Sequence, residues 1–578
     1  MTLAAATAMA QSNNIPQVQH VIVIVQENRT PTNLFQQDST LINNGAHIVS
    51  QSAAPDVCAG TAITLQPAPL YTCWDPLHSH ASWTSMWHNG RMNGACNIKM
   101  DCGNGPCPGN CTDGNLCYDY QTSGFEYCSY TYVENTIWNN SAPYDRILQP
   151  YFQIAETYGF ANYMFQTNQG PSFPAHQFLL SGTSAPVSYD QNDGCLAYTT
   201  PCYEWFASEN DVAPNNTWGC PATSDNIWQI DTNGLEYQYQ NGNGIYNNGI
   251  PCYNHNTLAF LLDNATPNKV TWKYYARTAG DLWTAPNSIS AICDPVVNGA
   301  CTGSDWKNNV APVLPNQGTY DSAPILDDIE NCKLQQVSWV IPDGNWSDHA
   351  DNGKSYGDGG PPWVAAIVNA IGNSKSNICG IDYWGYQTPQ GETAEPTVIL
   401  VTWDDWGGYY DDVIPPDCPG PGQCSGYFGN GNTGNGQQYV YGFRVPLLVV
   451  SAYAKQSYIS GTNVGSNPNC TTQPSYCHDF GSVLDFIEYA FGSGGSPLGA
   501  PYGIAQNQYW PYADYFVMDT YPPSYPYSLW DFFSFGASPN SFSTILGAKY
   551  GEECFHNPKQ QGCFQGTYPM DPDNDANE

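Results

Sequence analysis

The chain has 578 residues, with 51 Asp and Glu against 15 Lys and Arg and a net charge of −36. Charge of that sign and size repels nucleic-acid phosphates and anionic bilayer surfaces, which excludes nucleic-acid binding and adhesion to acidic membranes at neutral pH. Few charged residues overall and a pI near 4.2 suit an extracellular protein whose acidity serves either solubility or work in acid.

In chain order, Met1 to Ala10 carries the small-x-small pattern of a signal-peptidase site and reads as the remnant of a signal peptide cleaved after Ala10. The apolar, β-branched run 20–26 predicts a strand buried on both faces and ends in Glu27-Asn28. A polar, cysteine-rich stretch follows to about Tyr132, read as lacking regular structure, with an insertion at 95–132 near the site. Residues 144–159 predict a helix and 160–165 a short strand; Gly170-Pro171-Ser172-Phe173-Pro174 is a tight loop before an apolar segment at 177–181. A second Asn/Gly-rich insertion spans 190–254. Helices are expected at 258–263, 363–371 and 481–491, and strands at 270–275, 335–341, 397–403 and 445–450. Strands alternating with helices predict one large α/β domain over 11–506, with a doubly wound, mostly parallel sheet and helices on both faces. Residues 507–578 read as an aromatic-rich covering segment and an acidic tail; no segment is long and apolar enough to span a membrane. The tail run Asp571 to Asp575 lacks the Gly and distal Glu of a calcium loop and reads as solvated.

The 22 cysteines predict a disulfide framework made in an oxidising space, hence a secreted or periplasmic protein. Cys195/Cys202, Cys293/Cys301, Cys418/Cys424, Cys470/Cys477 and Cys554/Cys563 are close enough to close local loops. Cys96, Cys102, Cys107, Cys111, Cys117 and Cys128 lack the paired two-residue spacing of zinc ribbons and predict a disulfide knot.

In a parallel sheet the binding crevice lies beyond the carboxyl ends of the strands. Glu27 and Asn28 follow one buried strand, and Asp404 and Asp405 follow another; these oxygen donors suit a divalent cation. The plainer alternative is that they cap the helices that follow.

His20-Val-Ile-Val-Ile-Val-Gln-Glu27-Asn28-Arg29-Thr30 resembles the opening motif of the bacterial phosphoesterase family that includes non-haemolytic phospholipases C and secreted acid phosphatases. Asp75-Pro-Leu-His78, His88-Asn-Gly-Arg-Met-Asn-Gly94, Gly170-Pro-Ser172-Phe-Pro174 and Val270-Thr-Trp-Lys273 resemble later landmarks. So do Asp348-His349, Asp404-Asp405-Trp-Gly407-Gly408-Tyr-Tyr-Asp411, Tyr441-Gly-Phe-Arg444-Val-Pro446 and Asp479-Phe-Gly-Ser482-Val-Leu-Asp-Phe-Ile-Glu488. The resemblance implies an alkaline-phosphatase-like core, one divalent metal ion held by Glu27, Asn28, Ser172, Asp404 and Asp405, Ser172 as nucleophile, and His78 and His349 serving the phosphate of a phosphomonoester or phospholipid substrate. His80, His88, His176 and His478 compete for the histidine roles.

Three positions depart from the family pattern. Trp406 and Asp412 stand where histidines are usual, and Phe480 stands where a histidine follows the aspartate of the late helix motif. The expected activity is a secreted phosphoric-ester hydrolase, phospholipase C-like or acid phosphatase-like. The alternative is a catalytically weakened extracellular binding protein on the same fold; a glycosidase with paired carboxylates has the acids but no motif.

Overall fold

The apolar run near the amino terminus forms strand β1, His20–Gln26, buried along its whole length, because β-branched side chains pack well on a pleated surface covered from both sides. The computed structural model describes residues 13–564, apart from 102–127, most of 185–251, 315–321, 351–358, 375–379, 386–392, 417–440, 471–476, 499–527 and several shorter breaks. The other strands of the main sheet are β2 (Gly159–Ala161), β3 (Trp272–Ala276), β4 (Val310–Pro312), β5 (Val337–Val340), β6 (Thr397–Trp403), β7 (Leu447–Ser451) and β8 (Tyr458–Ser460). They form an eight-stranded sheet in the order β4-β3-β5-β1-β6-β7-β2-β8. All pairings are parallel except those of β7, which runs antiparallel to both β6 and β2. The result is a mixed α/β fold built on a mostly parallel sheet.

Six helices matter for the site: α1 (Pro31–Phe35), α2 (His80–Trp87), α3 (Gln149–Thr157), α4 (Ser172–Ser181), α5 (Gly360–Gly372) and α6 (Phe480–Phe491). Helix α3 packs on α5, and α4 packs on α6. The start of α6 is fixed by a reciprocal capping box between Asp479 and Ser482. The stretch between β1 and Tyr132, read from sequence as irregular, holds α1, a second short helix at Ser39–Asn43, and the eight-residue α2. Ser79 caps α2 and accepts from the Ser82 N–H, which polar composition around it had obscured.

Two apolar clusters result. The larger surrounds the sheet; the smaller joins Trp83, Met86 and Trp87 of α2 and Tyr130 to Trp406, Tyr410 and Phe443 beyond the strands. Trp406 therefore belongs to an aromatic core, with ring centroids 5.4 Å from Phe443 and 6.0 Å from His78.

Disulfides close Cys293–Cys301, Cys470–Cys477 and Cys554–Cys563, as their spacing predicts. Cys96 is not part of a local knot: it bonds to Cys58, 38 residues upstream, and Cys220 bonds to Cys252. Cys195/Cys202, Cys418/Cys424, Cys102 to Cys117, Met1 to Ala10 and the tail 571–575 lie outside the described residues. Among the described residues no helix is long and apolar enough to cross a membrane.

Candidate active site

Register brings the acidic groups together. β1 and β6 are hydrogen-bonded neighbours with Gln26 opposite Trp403, so the next residues, Glu27-Asn28 and Asp404-Asp405, leave the sheet side by side. Neither pair caps a helix: the N-cap of α1 is Thr30, whose Oγ1 accepts from the Asn33 N–H. Asn28 instead turns the chain with a φ of 63°, a left-handed conformation that Asn tolerates better than most side chains.

Backbone donors aim the two aspartates. Asp404 Oδ1 accepts the Asn28 N–H at 3.0 Å and the Asp405 N–H at 2.7 Å, while Asp405 Oδ1 accepts the Gly407 N–H at 2.6 Å. One oxygen of each carboxylate is thereby fixed. Asp405 Oδ2 faces Ser172, and Asp404 Oδ2 faces His176, 3.7 Å from its Nε2.

Ser172 is the first residue of α4 and is buried. Its Oγ lies 3.3 Å from Asp405 Oδ2, 3.4 Å from Asn28 Oδ1 and 3.5 Å from Glu27 Oε2. The preceding loop is held by two buried amides. Gln166 Nε2 donates to the carbonyls of Asn168 and Gly170 while its Oε1 accepts the Trp406 N–H, and Asn168 Nδ2 donates to Gly170 O. The serine loop and the turn after β6 are thus tied through one side chain, Gln166.

The expected histidines sit on the neighbouring side. His78 is fully buried; its Nδ1 donates to Pro76 O at 2.9 Å, and its Nε2 lies 3.0 Å from the Asn28 amide and 3.8 Å from Asp405 Oδ2. Burial pulls its pKa down, but the Asp405 and Asp75 carboxylates outweigh burial and raise it above the ordinary histidine value. Asp75 Oδ2 lies 3.7 Å from His78 and 3.9 Å from His349, whose ring centroid is 6.1 Å from that of His78. Asp348, beside His349, accepts from Tyr151 and Trp403 at Oδ2 and from the Gly360 N–H at Oδ1, anchoring that loop to α3, β6 and α5.

The competing histidines divide clearly. His80 Nδ1 donates to Gln169 O and so supports the serine loop, His88 bonds to Asn93, and His478 bonds to Ser460. His176 joins the acids: its Nε2 is 3.2 Å from Glu27 Oε1. The sequence offered one signal for it, the spacing of four residues from Ser172, which on a helix places both on one face. Of the other two departures, Phe480 is buried as the first residue of α6, and Asp412 is locked elsewhere together with its neighbour Asp411. Asp412 pairs with His47 at 2.9 Å, and Asp411 takes a bidentate pair from Arg444 at 2.6 and 2.5 Å.

These donors fit a divalent cation. Metal–oxygen bonds of about 2.0–2.4 Å put neighbouring ligands about 2.8–3.4 Å apart, close to the separations around Ser172 Oγ. Asp404 Oδ2 is buried and accepts no hydrogen bond among the described residues, a costly state for a carboxylate unless a cation partners it.

Comparison with known proteins agrees with the motif pattern. Residues 18–493 match the model of the Phosphoesterase family. The chain is 28% identical over 211 residues to "Phospholipase C B" of Mycobacterium tuberculosis, covering 35% of each protein. It is 22% identical over 359 residues to "Hemolytic phospholipase C" of Pseudomonas aeruginosa, covering 59% of this chain and 38% of that one. It is 26% identical over 176 residues to "Non-hemolytic phospholipase C" of Burkholderia pseudomallei, covering 29% of this chain and 20% of that one. The chain therefore matches between 20% and 38% of the length of these relatives. The match over 18–493, on a mostly parallel α/β sheet whose strand ends gather Glu27, Asn28, Asp404 and Asp405, makes the chain a member of the phosphoesterase family.

Proposed function

We propose that this is a secreted, metal-dependent phosphoric-ester hydrolase of phospholipase C type, acting through Ser172 on zwitterionic phospholipid head groups. The observation that carries the reading is the Ser172 hydroxyl at the start of a ten-residue helix, within 3.3–3.5 Å of oxygens from Glu27, Asn28 and Asp405. The helix amino terminus favours anions, so a phosphoryl group placed there meets partial positive charge. A net charge of −36 disfavours anionic lipid surfaces and leaves zwitterionic head groups as the better substrates.

The hydroxyl proton leaves toward the carboxylate cluster, and Oγ attacks phosphorus as the bond to the diacylglycerol oxygen breaks. A proton from the His78, His349 and Asp75 group goes to the departing alcohol. Water then attacks the phosphoserine diester, releasing the phosphorylated head group and restoring the Ser172 hydroxyl. A divalent cation held by Glu27, Asn28, Ser172, Asp404 and Asp405 would offset phosphoryl charge and lower the pKa of the serine hydroxyl.

The test is to offer the metal-loaded protein phosphatidylcholine vesicles and an aryl phosphate monoester in parallel. Chelator-sensitive release of phosphocholine and diacylglycerol is expected. Phosphate release from the monoester alone would assign an acid phosphatase, and turnover of neither would favour the weakened binding protein.

A further inference from the structure

His176 stands one turn below Ser172 on α4, and helical side chains lean toward the amino terminus, so both address the ends of β1 and β6. Its Nε2 is 3.2 Å from Glu27 Oε1, 3.4 Å from Glu27 Oε2 and 3.7 Å from Asp404 Oδ2. One ligand atom from each of Glu27, His176 and Asp404 lies within 4.8 Å of the others, and all three residues are buried. Asp404 adds an independent observation. Its Oδ1 is fixed by two backbone N–H groups, whereas its Oδ2, equally buried, accepts no hydrogen bond among the described residues. A single imidazole N–H directed to Glu27 leaves that Asp404 oxygen with no hydrogen bond and only the 3.7 Å contact to His176 Nε2; a cation between the three groups satisfies all of them.

We infer that His176 is a nitrogen ligand of the cation held by Glu27 and Asp404. The inference rests on reading the cluster around Ser172 as a metal centre, and it extends that all-oxygen set to a mixed nitrogen and oxygen one. All-oxygen sets suit magnesium and calcium, whereas an imidazole shifts preference toward first-row transition metals, zinc above all. The site therefore favours a first-row transition metal over calcium.

The full chain, stripped with chelator and reloaded with Mn²⁺, is examined by electron spin-echo envelope modulation together with metal titration. The wild type should show imidazole ¹⁴N modulation and bind Mn²⁺ more tightly than Ca²⁺. His176→Gln and His176→Ala should lose the modulation and bind Mn²⁺ at least about 10-fold more weakly, while His78→Gln keeps the modulation. Mn²⁺ bound stoichiometrically by the wild type without ¹⁴N modulation, or modulation that survives both His176 substitutions, would overturn the assignment while leaving the metal centre standing. A wild type that binds no divalent ion would overturn both. Because the wild-type spectrum alone can contradict the inference, its test survives a variant that fails to fold.

Discussion

Asp404 and Asp405 are neighbours in sequence with different surroundings. Both use Oδ1 to accept backbone N–H groups, but Asp405 Oδ2 faces Ser172, and Asp404 Oδ2 faces His176. Replacing either by Asn keeps the shape and an oxygen for the backbone donors, yet puts an amide where a carboxylate oxygen met its partner. Asp404→Asn and Asp405→Asn are each expected to fold and to bind divalent metal at least about 10-fold more weakly, measured by titration calorimetry. Unchanged affinity in both would place the metal elsewhere. Glu27, Asn28, Asp404 and Asp405 were legible because each pair directly follows a seven-residue apolar strand. His176 was much less so: alone in an apolar helix, it differs from a packed histidine only by what it faces across the fold.

At the scale of elements, the register of β1 on β6 and the turn after β6 carry the geometry. Gly407 lies in that turn with φ 60°, and a Cβ there would sit 2.2 Å from Asn28 O. Gly407→Ala should cost about 1–2 kcal/mol from the left-handed backbone alone, and the clash should displace Asn28. The check is a lower urea midpoint together with weaker metal binding; a variant equal to wild type in both would remove Gly407 from the site's support. A pH effect arises at the helix Ser39–Asn43, where Asp38 is the N-cap. Burial first, and then the charge of Glu156, push its pKa up to about 7. The folded state therefore holds this proton more tightly than the unfolded chain. The contribution is present at low pH and is lost as pH rises through about 7. Asp38→Asn keeps a capping oxygen and should flatten the fall in urea midpoint between about pH 4 and 7. The central strands were readable from their apolar runs. β4 and β8 were not, being three residues each at the sheet edges, and the reversed direction of β7 leaves no mark in composition.

For the whole molecule, the described part of the carboxyl-terminal segment packs against the central sheet and its neighbours. Phe532 packs over Gly159 of β2, Phe542 over Trp384, and Phe555 and Phe564 over Trp346. The described cysteines are all disulfide-bonded, so alkylation of secreted, unreduced protein followed by mass measurement should find almost no free thiol. Abundant alkylation would contradict maturation in an oxidising space. The central claim, that Ser172 is a phosphorylated nucleophile, is tested most directly by quenching the enzyme in acid during steady hydrolysis and mapping its phosphopeptides. The head-group phosphodiester on Ser172, phosphocholine for a phosphatidylcholine substrate, with Ser172→Ala folded but reduced at least about 10³-fold in kcat, is the expected result. An unphosphorylated Ser172 in the quenched enzyme, with near-normal kcat in Ser172→Ala, would contradict it.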